Sequence, residues 1–381
     1  MMNNEFDDIR PYVDSELPAS MQRIVDNPIF TVIAEYIYPE RPVEVLREKL
    51  LSLKSINEFQ SQVMYDINSR IITKTISEFG YGGLENIDPA KAYLYVANHR
   101  DIMLDAALLQ NIFMENGIAT SQISFGANLM INDIMVEIGR SNKMFKVERP
   151  SSDIRKFYRD SAHLSQYIRH SLTEQNSSVW IAQRNGRTKD GVDRTDRGII
   201  SMFRMSGSED LVRSIAELNI LPVTVSYEWE PCDIQKACEI YATRRGPYTK
   251  GEYEDLNSIL TGVQSSKGRV HYEFSKPFSE QDFEHLAELS STDFNLQVAA
   301  LIDAKVCSAY HLWPNNYIAH DMLSGSEEYA AEYTAEEKRR FVEHITKCEE
   351  SIPADFDREE LREILLGIYA NAVDSKILFS R

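Results

Sequence analysis

"AYLYVANHRDIMLDAALLQNIFMEN", residues 92–116, changes its period in the middle. Ala92–Asn98 is a compact apolar run with two tyrosines and a valine. It is suited to a strand buried on both faces. Met103–Asn116 instead repeats its apolar residues at helical spacing. A strand followed at once by a helix is the unit of an α/β fold. His99 stands at the junction, at the carboxyl end of the strand, where open α/β sheets place their sites.

The same alternation continues outward. "ISFGANL", "MFKVER", "SVWIAQR", "ILPVTVSYEWE" and "RVHYEFSKPF" read as further strands. Between them "INDIMVEIG" and "DIRKFYRDSAHLSQYIRHSLTEQ" read as helices. Strands alternating with helices over about 200 residues predict an α/β domain with a mostly parallel central sheet flanked by helices. Residues 1–85 read as a helical N-terminal region whose pattern ends at the Gly-rich "GYGG". Residues 86–280 form the expected α/β domain, and residues 281–381 a helical C-terminal extension.

Composition narrows the function classes. The 381 residues are 43% hydrophobic and 10% aromatic, as in a protein with a sizeable core. The net charge of −18 argues against a nucleic-acid partner. Residues 139–204 depart from that balance, with 14 Lys/Arg against 7 Asp/Glu. Most of those cations suit solvated helix faces, but the loop-borne arginines suit an anion site. The four cysteines read as reduced thiols, and Cys232 and Cys238 match no common zinc or redox spacing. The histidines besides His99 show no metal-ligand spacing either, so no metal is expected. The acidic N-terminus does not read as a signal peptide. No apolar run reaches the roughly 18–20 residues of a membrane span. A cytoplasmic protein is expected, with membrane association left open.

His99-Arg100-Asp101 invites comparison with a kinase catalytic loop, and the comparison fails. Such a loop carries an Asn five residues after its Asp, where this chain has Ala106. Phosphate-binding and dinucleotide-binding glycine motifs are absent too. What remains is a histidine with two carboxylates in reach. Asp101 could cap the following helix. Asp105, one turn inside it, could reach back to the imidazole, fix its tautomer and stabilise the imidazolium. Either could be the partner.

Four blocks in order then carry a resemblance. Asn98, His99 and Asp105 form the first. "GRSNKMFKVER", Gly139–Arg149, forms the second. "VWIAQRNGRTKDG", with Asn185, Gly186, Arg187 and Thr188, forms the third, and "ILPVTVSYE", with Pro222, the fourth. Over residues 90–275 the chain resembles the glycerolipid acyltransferase superfamily, which acylates 1-acylglycerol-3-phosphate and glycerol-3-phosphate. The resemblance implies transfer of a fatty acyl group from acyl-CoA or acyl carrier protein, as co-substrate and with no other cofactor, to a hydroxyl. It implies His99 as general base with Asp105, or Asp101, as partner. It implies an anionic small-molecule or lysolipid acceptor contacted by Asn98, Arg100, Lys146, Arg149, Asn185, Gly186, Arg187 and Thr188. Peripheral membrane contact is a further expectation. Two departures stand out. The family has four residues between His and Asp, whereas Asp105 leaves five and Asp101 one. The third block has Asn185 where the family has Glu, with Asp190, Asp193 and Asp196 nearby to compensate.

Overall fold

The computed structural model describes residues 5–130, 132–149, 152–251, 253–352 and 354–379. Seven strands form one sheet: β1 (Ile76–Gly82), β2 (Leu94–Ala97), β3 (Gln122–Gly126), β4 (Met144–Val147), β5 (Val179–Ala182), β6 (Ile220–Tyr227) and β7 (Gly268–Phe274). Their order across the sheet is β1-β7-β6-β2-β5-β3-β4. Every pairing is parallel except β6 with β7. Five adjacent strands therefore point the same way, and their carboxyl ends share one edge of the sheet.

The short apolar runs form central strands because both sheet faces are covered. Leu94 and Val96 of β2 pack with Val179, Ile181 and Ile220, beneath helices Ile154–Thr173 and Ser291–Ala309. Tyr95 and Ala97 point the other way and pack with Trp180, Leu221 and Val223 against helix Leu104–Glu115. A strand alternates its side chains between faces, so continuous apolarity is what two covered faces require. A separate core joins the C-terminal helices to helix Asp233–Arg245 through Ile318, Phe341, Ile345, Leu365, Tyr369 and Tyr241. Another joins the N-terminal helices through Leu17, Met21, Leu50 and Phe59. Among the described residues no helix is long and apolar enough to cross a membrane.

One element differs from the sequence reading. The helical pattern expected up to "GYGG" stops at Thr75, and Ile76–Gly82 is strand β1 at the sheet edge. The β-branched cluster Ile71, Ile72, Thr73, Thr75 and Ile76 tolerates both states. Pairing with β7, from Ile76 beside Gly268 to Gly82 beside Glu273, selects the strand.

Candidate functional site

β2 ends at Ala97, and the Asn98 side chain continues its ladder. Asn98 Nδ2 donates to the carbonyl of Val225 at 3.0 Å, and Asn98 Oδ1 accepts the Val225 N–H at 2.8 Å. This amide-to-backbone pair fixes where the chain leaves the sheet and His99 begins.

The next helix starts at Leu104; Met103 holds its N-cap position without a side-chain bond, and Asp101, two residues earlier, supplies the side-chain acceptor at the helix entry. Asp101 Oδ1 accepts the N–H groups of Met103 and Leu104 at 2.9 and 2.8 Å. That late start places Asp105 in the first turn, with its carboxylate folded back over the loop. Asp105 Oδ2 lies 2.9 Å from His99 Nδ1 and also accepts the N–H groups of Arg100 and Asp101 at 2.7 and 2.9 Å. Asp105 Oδ1 accepts the Tyr227 hydroxyl at 2.9 Å. Burial, and then the charge of Asp105, push the Tyr227 phenol far above its ordinary pKa, so it stays a donor. Asp105 is 1% exposed, whereas the His99 side chain keeps 14% of its surface open. His99 Nε2 has no hydrogen-bond partner among the described residues. Trp180 meets the imidazole edge-on at 6.1 Å between ring centroids.

The loop after β5 docks on this junction. Thr188 donates its N–H to the His99 carbonyl at 2.7 Å and its hydroxyl to Asp193 Oδ1 at 3.0 Å. Gln183, Arg184, Asn185 and Gly186 lead from the strand into a cavity of about 700 Å³. Its walls include Arg149, Arg184, Arg187, Lys189, Arg244 and Lys250, with only Asp190 and Asp255 as acids. Lys189 pairs with Glu239, Lys250 with Asp255 and Arg244 with Glu360. Arg149, Arg184 and Arg187 have no carboxylate partner among the described residues. Arg187 is only 8% exposed, and its buried Nη1 lacks a hydrogen-bond partner. An unpaired N–H on a desolvated guanidinium is costly, so an anion at Nη1 would be favourable.

Asn185 sits where the family has Glu, and its Oδ1 accepts from Arg149 Nη1. Arg149 Nε donates to Asn128 Oδ1 at 2.6 Å. Two neutral amides thus orient Arg149 without neutralising it. Of the three aspartates expected to compensate, Asp190 lines the cavity. Asp196 caps helix Arg197–Arg204, and Asp193 is buried in an ion cluster.

That cluster holds several of the residues expected to contact a substrate. Arg100 is 1% exposed and carries ion pairs to Asp193 at 2.6 Å and Glu230 at 3.3 Å. Lys236 joins it, donating to Glu230 at 2.6 Å and to the Arg100 carbonyl at 2.7 Å. Asn98 and Thr188 are likewise fully buried and saturated by protein partners. Arg100, Asn98 and Thr188 are buried around the His99 loop with protein partners. Lys146 pairs with Glu148 at 2.8 Å and lies outside the cavity wall. Asp101 is spent on the helix cap, and no hydrogen bond joins it to His99 among the described residues. Sequence reasoning missed Tyr227, Asn128, Glu230 and Lys236. The one available signal was position, since Asn128, Tyr227 and Glu230 follow or end strands at the edge that carries His99.

Residues 78–226 match the model of the family described as Acyltransferase. No curated protein matches the chain significantly. Among solved structures the chain is similar to the 1-acyl-sn-glycerophosphate (LPA) acyltransferase, PlsC, from Thermotoga maritima. The identity is 13% and the TM-score 0.39, over 76% of this chain and 95% of that one. It is also similar to chloroplast FtsY from Physcomitrella patens, at 15% identity and a TM-score of 0.21, over 74% and 88% of the two chains. At those scores neither likeness bears on the assignment. Residues 78–226, the stretch that is similar to the Acyltransferase family, carry the His99–Asp105 pair and all or most of six of the seven strands.

Proposed function

We propose that the protein transfers a fatty acyl group from a thioester, acyl-CoA or acyl carrier protein, to a hydroxyl of an anionic acceptor of the glycerol-phosphate or lysophospholipid kind. The observation that carries this reading is the His99 Nδ1–Asp105 Oδ2 contact of 2.9 Å, joined through Thr188 to a loop that lines an arginine-rich cavity. An ionised carboxylate only accepts hydrogen bonds. Facing Asp105, the imidazole carries its proton on Nδ1 and keeps the Nε2 lone pair for substrate.

His99 Nε2 takes the acceptor's hydroxyl proton as the oxygen attacks the thioester carbonyl. The tetrahedral intermediate expels the thiolate, which takes the proton back from the imidazolium. General-base catalysis of this kind is typically worth about 10²–10⁴ in rate. Asp105 is a positioning residue: it orients the ring and stabilises its cation. No covalent acyl-enzyme is needed. Arg149 and Arg187 pair with the acceptor's phosphate, which suits a planar guanidinium.

The test is to incubate the protein with acyl-CoA or acyl carrier protein and to follow thiol release with glycerol-3-phosphate, lysophosphatidic acid or a neutral alcohol as acceptor. Acceptor-dependent release, strongest for the phosphorylated acceptors, is expected. Release indifferent to the acceptor's charge would exclude the phosphate assignment. No release with any donor and acceptor would exclude the transfer itself.

A further inference from the structure

Away from the cavity, Asp233, His344 and Cys348 bring one carboxylate, one imidazole and one thiol together, with their ligand atoms all within 4.8 Å of one another. Asp233 Oδ2 lies 2.6 Å from His344 Nε2, and Cys348 Sγ lies 3.6 Å from the same nitrogen. The carboxylate and the thiol thus both meet the imidazole at Nε2. His344 and Cys348 stand four residues apart on helix Ala335–Glu350, which puts them on one face one turn apart. The same i, i+4 spacing lets paired histidines chelate zinc from a helix. Asp233 opens the facing helix Asp233–Arg245.

We propose that Asp233, His344 and Cys348 form a binding site for a borderline-soft divalent cation of the zinc type. Oxygen, nitrogen and sulfur from Asp, His and Cys are the donors zinc takes. Three protein ligands leave a fourth, tetrahedral position for water. The charges close as well: one carboxylate, one thiolate and a neutral imidazole balance a dication.

The surroundings suit a bound ion. The Tyr369 hydroxyl donates to Asp233 Oδ2 at 2.6 Å, an outer contact of the sort that orients a ligating carboxylate. The Trp229 ring packs on the His344 ring, with 4.7 Å between centroids. Asp233 and Cys348 are buried, while the His344 side chain keeps 32% of its surface open as a way in. The cation would brace the C-terminal helices against helix Asp233–Arg245. The latter also carries Lys236, which holds the Arg100 carbonyl.

Chelator-treated full-length protein is titrated with Co²⁺, and absorbance is recorded through the d–d and thiolate-to-cobalt charge-transfer bands. The expected result is one Co²⁺ per chain with a thiolate band that Zn²⁺ displaces. The band is lost in Cys348→Ser and kept in Cys238→Ser. Absence of a saturable thiolate band in the wild type, or a band that survives Cys348→Ser, overturns the site. Should Cys348→Ser fail to fold, alkylation of the wild type decides. Zinc-dependent protection of Cys348, mapped by peptide mass, supports the site, and equal labelling with and without zinc overturns it.

Discussion

The carboxylate of Asp105 accepts hydrogen bonds from His99 Nδ1, from the backbone N–H groups of Arg100 and Asp101, and from the hydroxyl of Tyr227. Four donors converge on one buried carboxylate, so the imidazole orientation is set by the loop and by β6 together. Asp101, the competing carboxylate, is occupied with capping.

Asp105→Asn tests this division. An amide cannot accept at both ends, so its NH₂ must face donors. The acyl-transfer rate is expected to fall by about 10²–10⁴, the scale of a lost base–carboxylate pair. Asp101→Asn keeps an acceptor for Met103 and Leu104. It is expected to leave the rate within about tenfold and the urea midpoint almost unchanged, because Asn and Asp cap about equally well. Steady-state kinetics and denaturation of both variants check the contrast, and a reversed order of the two rates counts against it.

Asn185→Asp converts one of the two amides on Arg149 into a carboxylate. The pairing neutralises a guanidinium assigned to the acceptor's phosphate. A charge-assisted hydrogen bond contributes roughly 1.5–3 kcal/mol. KM for a phosphorylated acceptor is therefore expected to rise about tenfold or more, with KM for the thioester little changed.

Gly191 has φ +78°, and a Cβ there would lie 2.0 Å from the Ile368 carbonyl oxygen. The same glycine's carbonyl accepts from Arg100 Nη2 at 3.2 Å. Gly191→Ala is expected to cost at least about 1–3 kcal/mol from the left-handed backbone alone, read from a lower urea midpoint. Activity falls with it, because the Arg100 anchor moves with the loop.

Lys267 is buried beside Asp101 and Cys232, and burial lowers its pKa from 10.5 to about 8. Below about pH 8 the ammonium is charged in both the folded and unfolded chain, and folding bears the full penalty of burying it. Between about pH 8 and 10.5 the unfolded chain binds more protons than the folded one, so this group's contribution to stability rises with pH. Lys267→Met removes the titration. The stability difference, variant minus wild type, is expected to shrink as pH rises across that window in chemical denaturation. A pH-independent difference would refute the assignment.

The layers of the fold are legible because they rest on local pattern. Ala92–Ala97 and Val179–Ala182 are apolar without interruption, and only strands covered on both faces need that. β1 is not legible, because its strand state depends on pairing with Gly268–Phe274, almost 200 residues on. The site divides the same way. His99 and Arg187 stand out by residue type and position. Arg100 looks equally functional beside His99. Its partners Asp193 and Glu230 lie 93 and 130 residues away in sequence, and only the folded chain shows that they bury it. The position of Asp105 hinges on one cap at Asp101, which moves the helix start by a few residues and decides which carboxylate meets the imidazole.

The most direct test of the account is the rate of acyl transfer from thioester to a phosphorylated acceptor by His99→Ala, beside wild type, with folding checked by circular dichroism. Loss of at least about 10² in kcat with the fold intact is predicted. A folded His99→Ala protein that transfers acyl groups at the wild-type rate would contradict it.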